Sequence, residues 1–321
     1  MPRSSAHVCR KDCAIGDESA GFPAAPAIAR SGDNVWMDAR DVGRYWESNA
    51  RAWTALSRQG WDVYRDALNT PAFLALLPDI SGRSGLDIGC GDGHNTRLLA
   101  ARGARMAGID LAPTFVEQAR AMERENRLGV RYSIGSAQDL PFAAKRFDFA
   151  TAFMSLMDMP EPEAALREAW RVLRSGGFLQ FSITHPCFFP PHRRQMRNEH
   201  GQPYAVELGR YFDRIDGAID RWTFSASPPE TRGAYRPFEI PRFHRTLSEW
   251  LNAVVDAGFT IERSAEPHAD EETARRVPHV ADTRIVAYYL HVRCRKGMAA
   301  LASQAEEAIR RGAVIVPGAQ R

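Results

Sequence analysis

No stretch of about 18 uninterrupted apolar residues occurs in the 321 residues of this chain, so no membrane-spanning helix is expected. Cysteine is scarce. Cys9, Cys13, Cys90, Cys187 and Cys294 are too scattered for a disulfide framework and suggest a reducing compartment. An excess of one charge is also missing, because 42 Lys and Arg face 39 Asp and Glu, spread along the chain. That balance leaves no electrostatic footprint for nucleic acid. Nor does any compact Asp, Glu and His cluster recur at ligand spacing, so no metal site is expected. Residues 1–32 lack both a signal-peptide core and helical periodicity, and read as a disordered leader. The expectation is a soluble, cytoplasmic protein with an ample core, since 44% of its residues are hydrophobic.

The chain does contain one dense signal, Gly85-Leu-Asp-Ile-Gly-Cys-Gly-Asp-Gly93. An apolar run leads into it and a helix-compatible segment, residues 94–102, leaves it. A strand that turns at once into a helix needs residues without a Cβ, both to turn and to let a ligand lie on the backbone. A dinucleotide loop would read Gly-x-Gly-x-x-Gly and seat a pyrophosphate on the helix N-terminus. Here Gly93 comes one residue early, and Asp87 and Asp92 add carboxylates that repel phosphate. A ligand carrying an ammonium group would instead gain charge-assisted hydrogen bonds.

The nonapeptide resembles the first motif of the class I S-adenosylmethionine (SAM) dependent methyltransferases, in the small-molecule, type 11-like branch. The resemblance implies that Gly89, Gly91 and Gly93 pass beneath the amino acid part of SAM and that Asp87 helps hold its ammonium. Residues 104–110 form an apolar strand ending in Asp110. An acceptor-only carboxylate there suits the two ribose hydroxyls, while Leu111 would flank the adenine. Capping of the helix that starts near Ala112-Pro113 is the alternative role for Asp110. Gln138-Asp-Leu-Pro-Phe142 is similar to another family segment, which implies adenine contacts for Ser136 and Ala137, with Ser136 standing where relatives have aspartate. Met154, just after the strand at 147–153, joins this cofactor set. Arg171-Val-Leu-Arg-Ser-Gly-Gly-Phe-Leu resembles a further signature, in which residues 175–177 stop a helix spanning 161–174 and a fifth strand runs from 178 to 184. The Asn-Pro-Pro-Tyr motif of amino-directed nucleic-acid methyltransferases is absent.

Two regions are expected to enclose the acceptor. Residues 34–78 are dense in aromatics (Trp36, Tyr45, Trp46, Trp53, Trp61, Tyr64, Phe73) and read as two or three lid helices, one of them at 71–77. Most of these rings would be the apolar seam of the lid. Tyr45 is the candidate for contact with the sulfonium, which aromatic faces attract without trapping the methyl. Residues 185–244 form an insertion rich in proline, aromatics and arginine, with a short hairpin allowed near 221–225. His185 and His244 are candidate general bases, and Asp158 is a third. Capping or packing is the alternative for both histidines. His192, Arg193, Arg194, Arg210 and Arg214 form either a site for a carboxylated acceptor or a solvated basic loop.

The expected fold is α/β: a Rossmann-like, seven-stranded, mostly parallel sheet with helices on both faces and an antiparallel last strand. An N-terminal helical lid (33–80) precedes the SAM-binding domain (81–296), which carries the substrate-cover insertion after its fifth strand, and a tail (297–321) follows with a helix at 298–311. The expected activity is SAM-dependent methylation of a small molecule at O, N or C, by a monomer or homodimer without nucleic-acid or membrane partners. The alternatives are methylation of RNA or protein, or SAM binding without turnover as a sensor or scaffold.

Overall fold

The computed structural model of the chain describes residues 37–297. The expected leader, Trp36, Cys9, Cys13 and the helix at 298–311 lie outside the described residues. The central sheet contains β1 (Ser84–Ile88), β2 (Arg105–Asp110), β3 (Arg131–Ile134), β4 (Phe147–Phe153), β5 (Leu173–Thr184), β10 (Phe259–Ala265) and β11 (Tyr289–Lys296). Their order is β10-β11-β5-β4-β1-β2-β3, and β11 runs antiparallel to both of its neighbours. The seven-stranded, mostly parallel sheet expected from the sequence is the one that forms.

Strand alternation splits the core into two layers. Leu86, Ile88, Leu179, Phe181 and Ile183 point to the side covered by α5 (Pro162–Val172) and α7 (Leu247–Asp256). Phe149 and Phe178 point to the other side, against α3 (His94–Ala101) and α4 (Pro113–Glu125). With both faces covered, β1 is buried along its whole length, as parallel strands require. Proline opens α4 and α5, where its missing N–H costs nothing. Thr246 and Glu249 form a reciprocal capping box that starts α7. The chain leaves β1 toward β2 and β3, then crosses to β4 and β5. The crevice at the carboxyl ends of β1 and β4 is therefore the topological switch point.

Two expectations change in detail. β5 starts at Leu173 and not at Phe178, because the strand continues back through 175–177 with a register shift opposite Phe147 and Phe149. Gly177 allows this: a Cβ there would stand 2.9 Å from the carbonyl oxygens of Arg174 and Asp148. The insertion forms two ribbons, β6 (His192–Arg197) with β7 (Pro203–Gly209), and β8 (Ile215–Trp222) with β9 (Phe238–His244), the short helix α6 (Pro229–Gly233) lying between β8 and β9. The hairpin near 221–225 is thus the end of a longer, wider ribbon. The connection after β10 carries α8 (Glu271–Arg276) and a 3-10 turn, Pro278–Arg284.

The N-terminal cover consists of α1 (Ala39–Arg58), a π-helical turn (Arg65–Asn69) and α2 (Thr70–Leu76). Asp38 and Asp41 cap α1 reciprocally. Two side chains of α1 then fix it to the rest of the protein. The Glu47 carboxylate accepts the Thr114 N–H and hydroxyl at 2.9 and 2.6 Å, at the first turn of α4. Asn49, 5% exposed, pairs with both backbone groups of Glu239 on β9, at 2.8 and 3.1 Å. Between the covers sits Asp282, whose carboxylate accepts the hydroxyls of Tyr64 (3.0 Å) and Tyr288 (2.5 Å) and the Gln195 amide (3.3 Å). No helix among the described residues is long and apolar enough to cross a membrane.

β11 carries His291 into the core at 0% exposure, where Nε2–H donates to Asn69 Oδ1 at 2.6 Å and Nδ1 has no partner. Burial pushes its pKa down to about 4, against roughly 6.5 in an unfolded chain. The unfolded state therefore takes up the proton first, and this histidine removes stability as pH falls from about 6.5 to 4. Urea unfolding should show His291→Gln gaining on the wild type across that interval. A stability difference independent of pH would contradict the assignment.

Candidate functional site

A chamber of about 380 Å³ opens at the carboxyl ends of β1 and β4. The glycine loop forms its floor, and Gly89, Gly91 and Gly93 all adopt positive φ, at 69°, 54° and 83°. Their surroundings separate their roles. A Cβ on Gly89 would fall 2.4 Å from Cβ of Ser155, whose hydroxyl donates to the Ile88 carbonyl at 2.7 Å. A Cβ on Gly93 would meet the Tyr132 hydroxyl at 2.6 Å. At Gly91 a Cβ would meet nothing within 4 Å, so this residue is the one whose bare backbone borders open space.

Two carboxylates hold the loop. Asp87, 2% exposed, accepts the hydroxyls of Thr96 (2.6 Å) on α3 and Thr151 (2.7 Å) on β4. Burial pushes its pKa up to about 6 despite these two bonds. Asp110 accepts the Gly91 N–H at 2.8 Å with one oxygen and the Ala112 N–H at 2.9 Å with the other. Burial likewise raises its pKa, against the pull of those amides. Asp110 lines the chamber, and its bond to the Ala112 N–H falls just ahead of α4, whose N-cap is Ala112 itself.

Leu111, Ser136, Ala137 and Met154 line the chamber too. The Ser136 hydroxyl accepts the Gln138 N–H at 3.1 Å. Met154 holds a left-handed φ of 53°, an uncommon state for a residue with a side chain, directly after β4. Asp62 and Arg65 add an opposed pair 3.8 Å apart to the chamber wall. Burial pushes Asp62 up to about 6, with Arg65 drawing it back. Neither residue was singled out from the sequence, where Asp62 and Arg65 stand in a short connection without a motif.

The opposite wall is aromatic. Trp53 meets Trp46 at 5.4 Å, Trp222 at 5.6 Å and Phe224 at 4.9 Å between ring centroids. Tyr45 is not part of this wall. It packs with Met37, Val42 and Phe243 and borders a separate surface depression, because one residue along a helix rotates the side chain away and presents Trp46 instead.

The three candidate bases separate as well. His185 is 2% exposed and off the chamber wall; Nδ1 accepts the Cys187 N–H at 3.2 Å and Nε2 lies 2.7 Å from Glu266. Both ring nitrogens are committed, so it packs and caps. His244 does line the chamber. Its Nε2 donates to the Tyr211 carbonyl at 2.7 Å, which leaves Nδ1 as the acceptor, and burial lowers its pKa. Asp158 lines the same space, and burial together with the neighbouring Asp220 raises its pKa well above the usual range. Asp220 and Arg242, whose charges lie 3.6 Å apart, share one face of the β8–β9 ribbon with Trp222. Of the basic residues at 192–214, His192 and Arg194 pair with Glu207, Arg210 with Asp213, and Arg214 with Asp216, all at the surface. Arg193 is the member of that group that lines the chamber. No cluster of metal-ligating residues occurs among the described residues.

Residues 86–181 match the family described as "Methyltransferase domain". The chain is 29% identical over 212 residues to a Haemophilus influenzae protein named only as uncharacterized, covering 63% of this chain and 77% of that one. It is 33% identical over 150 residues to a ubiquinone biosynthesis O-methyltransferase of Xanthomonas oryzae. That match covers 44% of this chain and spans 62% of the relative's length. A crystal structure of a SAM-dependent methyltransferase from Mesorhizobium loti superposes with a TM-score of 0.58 at 25% identity, covering 70% of this chain and 96% of the other. The sheet therefore has the fold seen in a SAM-dependent methyltransferase, residues 86–181 match a methyltransferase domain, and SAM is the cofactor this likeness implies.

The contrast between the loop glycines can be measured by urea unfolding. Gly89→Ala should cost about 2–4 kcal/mol, a left-handed backbone penalty plus a clash with Ser155. Gly91→Ala should cost about 1–2 kcal/mol, from the backbone alone. Adding Ser155→Gly to Gly89→Ala should recover the clash but not the backbone part, as a double-mutant cycle would resolve. Equal costs at the two glycines would contradict this division.

Proposed function

We propose that the chain transfers the methyl group of SAM to a small-molecule acceptor enclosed between the glycine loop and the aromatic wall. The observation that carries this reading is the continuity of one chamber from Gly91 and Asp110 to Trp222, Asp158 and His244. SAM supplies a methyl on a positively charged sulfur, and the residues present suit it. Gly91 leaves room at the backbone. Asp110 keeps lone pairs for two ribose hydroxyls after accepting the amides of Gly91 and Ala112. Leu111 flanks the adenine, while Ser136 and Ala137 face its edge. Asp62 and Arg65 offer opposite charges to the ammonium and carboxylate of the amino acid part. Asp87 braces the loop through two threonine hydroxyls and, like Asp110, keeps lone pairs on the chamber side, where they suit the ammonium.

The displacement itself needs alignment and exclusion of water, which positioning can reward with about 7–11 kcal/mol in the best intramolecular cases. The tryptophans contributed by α1 and β8 exclude water and leave the methyl untrapped. Where the acceptor must lose a proton, His244 is better placed than His185, because its Nδ1 takes no hydrogen bond from the protein. Removing such a base costs about 10²–10⁴ in rate.

Isothermal titration of the intact chain should show S-adenosylhomocysteine binding, weakened about tenfold or more in Asp110→Asn and Gly91→Ala. Incubation with methyl-labelled SAM and a cell extract should place the label in the low-molecular-mass fraction. Label in RNA or protein would support macromolecular methylation, and binding without any transfer would support the sensor reading. In the same assay His185→Ala should lower stability with the rate kept, and His244→Ala should slow labelling by about a hundredfold where the acceptor is an alcohol or a phenol.

A further inference from the structure

Asp158 differs from every other charged side chain that lines the chamber. Asp62, Asp87, Asp92, Asp110 and Asp220 each have a hydrogen bond or ion pair. Among the described residues lining this space, Asp158 has neither, and Asp220 adds a second negative charge beside it. Only Arg242 balances Asp220, at 3.6 Å, and the Arg242 Nε has no partner. Asp158 is half-buried, and a carboxylate there without a protein partner gains most from a ligand that brings the opposite charge. The surrounding walls suit a cation equally well, for Trp222 stands two residues from Asp220 on the same ribbon face, next to Trp53.

The arginines of the chamber are held by the protein through part of each guanidinium. The Arg193 Nε donates to the Phe188 carbonyl at 3.0 Å, and its guanidinium lies over the rings of Phe189 and Tyr288, at 4.5 and 4.9 Å. Arg245 donates to the Pro160 carbonyl at 2.5 Å and faces Glu163 at 3.5 Å. Arg193 Nη2 and Arg245 Nε nevertheless have no hydrogen-bond partner, so an anionic acceptor is the competing outcome that the test must exclude.

Building on the methyl-transfer reading, we propose that the acceptor is an amine on an apolar body, bound as its ammonium between Asp158 and Asp220 against the tryptophan wall. One N–H proton passes to the Asp158 carboxylate and frees the nitrogen lone pair. That pair forms the bond to the methyl carbon while the C–S electrons return to sulfur. The amine leaves as a methylated ammonium, and Asp158 carries the proton, so charge is conserved.

The test uses the intact chain saturated with S-adenosylhomocysteine, titrated with phenethylamine and tryptamine and with 2-phenylethanol, 4-ethylphenol and 3-phenylpropanoate. The amines should bind about tenfold or more tighter than the neutral and anionic probes. In Asp158→Asn that preference should shrink to about twofold or less, with S-adenosylhomocysteine binding as the check that the variant is folded. Preference for the phenol or the carboxylate, absence of any preference, or a preference that survives Asp158→Asn would overturn the proposal. Failure to bind S-adenosylhomocysteine at all would instead remove the reading on which it rests.

Discussion

A carboxylate buried at the end of β1 is the constraint on which the rest is built. Asp87 is out of water, so its charge must be met from inside, and the hydroxyls of Thr96 and Thr151 meet it. Those partners belong to the helix that follows the loop and to the strand across the switch point. One residue thereby fixes the distance between three elements. Asp110 repeats the device beside it, joining Gly91 to the start of α4. The glycine loop is not a flexible ribbon that closes on a ligand but a turn held from below and from one side. Its preorganisation means that a ligand need not supply the ordering free energy.

How legible this was in the sequence follows from how local each feature is. The strand-loop-helix at 84–101, the carboxylate ending β2 and the strand at 147–153 are written in contiguous residues, and their limits agree with the structure to within a residue or two. Met154 follows from the end of the strand at 147–153, whereas Ser136 and Ala137 are legible only through the likeness of the segment at 138–142 to a family motif. The start of β5 was less legible because Ser-Gly-Gly reads as a stop, whereas the glycines let two backbones approach and the ladder continue.

The acceptor side depends on which residues meet across long separations, and that a single sequence does not record. Tyr45 and Trp46 are equally aromatic; the rotation of α1, set by Glu47 on α4 and Asn49 on β9, decides which one faces inward. His185 and His244 look alike beside prolines and aromatics, yet Glu266 and the Cys187 amide occupy one ring while the Tyr211 carbonyl leaves the other half free. Asp220 and Arg242 carried no motif at all. They acquire meaning only when β8 and β9 pair and bring them to one face.

The shared carboxylate of Asp282 has an energetic meaning. Tyr64 comes from the N-terminal cover, Gln195 from the first ribbon of the insertion and Tyr288 from the approach to β11, and all three donate to it. Displacing either segment strips a donor from a buried anion, a loss of about 1–3 kcal/mol. Two stretches of chain far apart in sequence are thus answerable to one carboxyl group, and damage to that group would loosen both at once.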